Sequence, residues 1–211
     1  MWALYLLLGI NLSVYIVDNM LSLYYLKLGD RDYLRYRRDF DKKFSSDNTA
    51  NLIKDITSSF IHTGFEHFSL NFVPLCVFGL MLIHNVKGQQ IEGDYQLLLV
   101  YLFPNIITCQ ITRYYKRYFL SKEDQERLAC GASYAIYAIL AVCFITSSNL
   151  SISIFTPFIM FFEVYCLFKQ HYTEHNQQKI KIKTDHFGHI SSFIVSLILF
   201  PLLEYYSARS M

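Results

Sequence analysis

Six mostly apolar stretches, residues 2–26, 68–86, 95–112, 128–145, 152–168 and 188–203, alternate with polar connections along the 211 residues. A helix crossing the hydrocarbon of a bilayer needs roughly 20 apolar residues, fewer where neighbours shield its ends. In lipid the backbone must satisfy its own hydrogen bonds, which leaves helices or closed barrels. Runs of this length therefore predict an all-α polytopic membrane protein, a six-transmembrane-helix bundle in which residues 1–211 form a single domain. Composition matters at two points. At 53% hydrophobic and 17% charged the chain suits lipid, and a net charge of +2 scattered over the loops excludes nucleic acid as a partner. The five cysteines show no Cys-x-x-Cys spacing and read as small packing residues. Without a cleavage site before it, the first stretch is expected to stay in the mature protein.

Polar residues at the starts of the even-numbered stretches carry the chemistry. Cys130-Gly131-Ala132-Ser133 opens the fourth, just after the charged string 122–127. Ser133 and Tyr137, four apart, share a helix face. Before the second stretch come His62, His67 and Asn71, of which the last two share a face. His189 opens the sixth, with Ser192 and Ser196 on its face, and small residues there permit close helix contact. Even-numbered helices of a six-span bundle run in one direction, so all these starts lie on one side at similar depth. A serine is a weak nucleophile until a base takes its proton, and histidine suits that task. His67, Asn71 and backbone N–H groups near Ser133 could donate to an oxyanion. Acyl transfer to serine uses the whole set and needs no cofactor. No third ligand at suitable spacing completes a metal site with His62 and His67, so no metal is expected.

These residues resemble the rhomboid family of intramembrane serine proteases. The family's His-x4-His-x3-Asn is matched by His62, His67 and Asn71, its Gly-x-Ser by Gly131 and Ser133, and its last-helix histidine by His189 with Ser192 and Ser196 after it. Asp185-His186-x-x-His189 is similar too. The resemblance implies a serine endopeptidase with a Ser133–His189 dyad and no third carboxylate. It also implies an oxyanion site at Asn71, His67 and the Ser133 amide, and Tyr137 packed on the imidazole. Its substrates would be single-span membrane proteins in the bilayer, with the first loop partly embedded and the fifth helix as lateral gate. The chain departs from the family where Tyr134 replaces the usual glycine after the nucleophile and serines 192 and 196 replace last-helix glycines. Either Tyr134 points away or the fourth and sixth helices stand further apart. The alternative reading is a catalytically inactive relative that binds membrane clients.

Other polar residues invite blander readings. Asp18 and Asn19 are expected to bond a helix end or a neighbouring helix, and Pro104-Asn105 to interrupt the third span with a kink. The loop 27–57 interleaves charges and aromatics, which suits either a solvated surface or an interfacial segment. His171 and His175 have metal-binding spacing in a solvated loop. Asp18 and Glu163 are the acidic residues within spans, too few and too asymmetric for a transporter. Seventeen of the 19 lysines and arginines lie on the side of the even-numbered starts. The positive-inside rule puts that side in the cytosol or matrix, whereas many rhomboids open theirs to the opposite side. Secretory-pathway or plasma membrane and mitochondrial inner membrane both stay open.

Overall fold

The computed structural model describes residues 1–46, 51–85, 93–119, 131–175 and 185–209, with side chains omitted for 170–175 and 206–209. The charged string 122–127, Cys130 and the connection 176–184 lie outside the described residues, as do the side chains of His171 and His175. The described residues form eight helices and no strand: α1 (Trp2–Leu28), α2 (Asp30–Phe44), α3 (Leu52–Ser58), α4 (Phe65–Asn85), α5 (Gly93–Phe119), α6 (Ser133–Thr146), α7 (Leu150–His175) and α8 (His186–Arg209).

Five of them, α1, α4, α5, α7 and α8, are long and apolar enough to span a membrane. The remaining expected span, 128–145, falls on α6, a shorter apolar helix. It has 14 residues and begins at Ser133. At 1.5 Å per residue it is about 21 Å long, well short of the roughly 30 Å of hydrocarbon. Apolar around its circumference, it packs on α4, α5, α7 and α8 and buries nine residues between Tyr134 and Cys143. Leu75 and Leu82 of α4, Leu97 and Tyr101 of α5, and Ala135, Ile139 and Val142 of α6 meet in the core.

α4 starts at Phe65, earlier than the hydropathy boundary, so His67 and Asn71 are both helical. α5 runs unbroken through Pro104. Its neighbour Asn105 has a packing role. Asn105 donates to the Asp55 carbonyl at 2.8 Å and anchors α3.

The loop 27–57 folds into α2 and α3. α2 buries none of its residues. One of its arginines, Arg37, reaches back to both oxygens of Asp18, at 2.8 and 2.7 Å, while the Tyr36 hydroxyl donates to Asp18 at 2.7 Å. Asp18 is therefore a structural anchor between α1 and α2. α3 is capped by Asn51, whose side chain accepts from the Ile53 and Lys54 amides. It is fixed to α5 through Asp55, which pairs with Arg113 and accepts from Gln110 at 2.9 Å and from Ser46 at 2.9 Å.

Candidate active site

Beyond α3 the chain turns, and the Ser58 carbonyl accepts the Gly131 N–H at 2.7 Å. Gly131 has φ +98°, where a Cβ is strained. A Cβ there would also lie 2.6 Å from His67 Nε2 and 3.3 Å from Asn71 Nδ2. Glycine thus lets the backbone two residues before Ser133 press against the imidazole and the amide. Sequence spacing put these groups on one side of the membrane, and the fold brings them together.

Their hydrogen atoms can be assigned. The Thr63 backbone N–H, an obligate donor, points at His67 Nδ1 at 3.3 Å. Nδ1 accepts, so the neutral ring carries its hydrogen on Nε2, the atom facing Gly131. Asn71 uses one amide hydrogen on the His67 carbonyl, 2.9 Å away, and has a second. At the head of α6 the N-cap is Ala132, which supplies no side-chain cap. The first N–H groups of a helix lack intrahelical partners, and a serine or aspartate at Ala132 would have engaged one of them.

His189 is buried and lies face to face on Tyr137, with ring centroids 4.4 Å apart and planes 11° off parallel. Tyr137 is one turn beyond Ser133 on the same face, so the imidazole reaches the serine's side of α6. Among the described residues no hydrogen bond joins Ser133 to His189.

Behind His189 the structure corrects an expectation. The resemblance implied no carboxylate there, yet Glu163 of α7 has Oε2 3.2 Å from His189 Nδ1 and 2.7 Å from His186 Nδ1. Its other oxygen accepts the Tyr137 hydroxyl. An ionised carboxylate only accepts, so Nδ1 of His189 bears the hydrogen and Nε2 has the lone pair. Three helices contribute to this cluster, and spacing along the chain does not bring them together. The signal available was an acidic residue within a span, which calls for a named partner.

The family model described as Rhomboid domain matches residues 49–205. The chain belongs to the rhomboid family. No curated protein and no solved structure matches it. As a rhomboid with several apolar membrane-length helices, it is an integral multi-pass membrane protein of an intramembrane protease-like family.

The departure from the rhomboid pattern at Tyr134 takes neither expected form. Tyr134 does not point away: it is buried, and its ring fills the place of the missing Gly188 side chain, where a Cβ would lie 2.3 Å from Cε1. Nor do the helices part, because Ser192 Oγ donates to the Tyr134 carbonyl at 2.5 Å. Large and small have exchanged sides across the α6–α8 contact. Asp185 caps α8 by accepting the Gly188 N–H at 2.9 Å and takes the Tyr134 hydroxyl at 2.6 Å.

His62 is a direct neighbour of His67. It is buried, with no hydrogen-bond partner on either ring nitrogen among the described residues, and packs edge-on against His67 and Phe68. Burial, helped by the nearby His67, lowers its pKa from 6.5 to about 4. The unfolded chain then binds a proton that the folded one refuses. Stability is full above about pH 6.5 and falls by about 1.4 kcal/mol per unit down to about pH 4. Unfolding midpoints in detergent across this range should decline more steeply in wild type than in His62→Leu. Parallel curves would show that His62 is not responsible.

Proposed function

We propose that this rhomboid is a serine endopeptidase that cuts single-span membrane proteins within the bilayer, with Ser133 as nucleophile and His189 as its base. The observation that supports it most is the convergence of His67 Nε2 and Asn71 Nδ2 on Gly131, two residues before Ser133, under an α6 N-terminus with no side-chain cap. Ser133 Oγ bonds to the scissile carbonyl carbon while its proton passes to His189 Nε2. The oxyanion forms against His67 Nε2–H, the second Asn71 hydrogen and the Ser133 N–H. As the C–N bond breaks, His189 protonates the departing amine. Water, deprotonated by the same imidazole, then hydrolyses the acyl-serine.

Glu163 acts through His189 as a positioning residue, keeping hydrogen on Nδ1 so that Nε2 can accept. Substrate reaches the site laterally. Among the described residues α4 and α7 both pack on α6 but not on each other, which supports entry between them. Large apolar residues of α7, Phe155, Phe158 and Phe161 among them, are exposed and suit lipid or a substrate helix.

The test is cleavage of tagged single-span reporters in lipid vesicles, lost in Ser133→Ala and in His189→Ala. Glu163→Gln should hold KM and lower kcat by about 10²- to 10⁴-fold, with partial recovery in Glu163→Asp. No cleavage by folded wild type across several reporters would overturn the reading. The second reading, a rhomboid that binds clients without cutting them, is favoured by the missing Ser133–His189 hydrogen bond. Co-purification of uncut clients would support it.

A further inference from the structure

We propose that Glu163, His186 and His189 form a site for a divalent transition metal, Zn²⁺ in chemical character, and that its occupancy switches the peptidase off. The switch rests on the protease reading above, and the metal site does not. Each residue offers one ligand atom, and these atoms all lie within 4.8 Å of one another. Oε2 of Glu163 is 2.7 Å from His186 Nδ1 and 3.2 Å from His189 Nδ1. Ligands of a tetrahedral zinc ion, at about 2.0–2.2 Å from the metal, stand roughly 3.3 Å apart. To hold an ion the shorter of these contacts must open by about 0.6 Å and the separation of the two imidazole ligands, within 4.8 Å, must settle near the same edge length. Two imidazoles and one carboxylate are a familiar zinc set, with water in the fourth position. His186 and His189 are three apart on α8, so one helix face fixes two ligands, and α7 supplies the third. Glu163 and His189 are buried, whereas the His186 side chain is 18% exposed and gives an ion its approach.

The consequence follows from the single hydrogen of a neutral imidazole. With Glu163 as partner, His189 carries it on Nδ1 and offers the Nε2 lone pair to Ser133. With metal on Nδ1 the hydrogen must sit on Nε2, and the ring can no longer accept the serine proton. The carboxylate that favours the working tautomer and the metal that imposes the other compete for one nitrogen.

The experiment uses untagged full-length protein in lipid nanodiscs, carrying Ser133→Ala for the binding arm so that proteolysis plays no part. Co²⁺ titration should give one equivalent with the visible bands of a tetrahedral ion, displaced by Zn²⁺. Affinity should fall at least about 10-fold in His186→Gln and in Glu163→Gln, as loss of a ligand requires. His171→Ala/His175→Ala should bind as before, which separates this cluster from the histidine pair at the end of α7. In the second arm Zn²⁺ should inhibit wild-type cleavage, while cleavage by His186→Gln resists the same concentration. No tetrahedral bands, or bands that persist in His186→Gln, would overturn the site. Metal bound as expected with cleavage unaffected would overturn the switch. Metal bound by a protein that cuts no reporter would uphold the site and bring down the protease reading instead.

Discussion

Replacing Gly188 with alanine is expected to reduce the proposed cleavage at least about 100-fold, although the substitution touches neither Ser133 nor His189. The new methyl would lie 2.3 Å from Cε1, 2.5 Å from Cζ and 2.6 Å from Oη of Tyr134. The ring cannot swing aside easily, because Asp185 accepts its hydroxyl at 2.6 Å and the residue is buried. α8 must shift instead. That strains the 2.5 Å bond from Ser192 to the Tyr134 carbonyl and displaces His189, the next residue along. Overpacking of this kind costs about 1–3 kcal/mol, and a displacement of about 1 Å at a reacting group costs about 10²-fold in rate. Tyr134→Gly alone empties the same space, with a penalty of roughly 3–5 kcal/mol by analogy with other aromatic truncations. The double variant restores a small-on-small contact and should lose much less than the two single changes added together. Cleavage assays and thermal unfolding of all four proteins complete the cycle. Wild-type behaviour of Gly188→Ala would show that Tyr134 does not set the α6–α8 spacing.

The same contact shows where sequence reasoning stops. The membrane class, the succession of apolar helices and the shared faces of His67 with Asn71 and of Ser133 with Tyr137 were legible because each depends on a period or a count along one helix. Tyr134 opposite Gly188 was not, since a large residue is tolerated or not according to what faces it, and the partner lies 54 positions away in sequence. Glu163 was visible as an acid inside a span, but its partners sit on two other helices. The start of α6 was misplaced because hydropathy averages over a window and cannot distinguish a helix from the apolar residues that lead into it. Gly131 was visible in the sequence only as part of the Gly-x-Ser match. Its φ of +98° and its contact with His67 depend on the hydrogen bond from its N–H to Ser58, which only the fold supplies.

That bond also makes the loop before α4 part of the site's support and leads to an effect far from the chemistry. Asp55→Ala is expected to destabilise the protein by about 3–5 kcal/mol, the usual result of removing one member of a buried ion pair. Asp55 is fully buried, its partner Arg113 nearly so, and Ser46 and Gln110 complete its shell at 2.9 Å each. The substitution removes the carboxylate that ties Arg113 to α3 and loosens α3. Three residues further on, the Ser58 carbonyl that holds Gly131 would drift, so cleavage should fall together with the unfolding midpoint. Asp55→Leu/Arg113→Met removes both charges at once, and such replacements are often neutral or stabilising. The Asn105 bond to the residue-55 carbonyl survives in it, because that acceptor is backbone. The double variant should therefore recover stability and, with α3 back in place, cleavage. Recovery of stability without cleavage would mean that the Asp55 charge itself acts on the site. An unchanged midpoint in Asp55→Ala would mean that the pair does not hold α3 to α5.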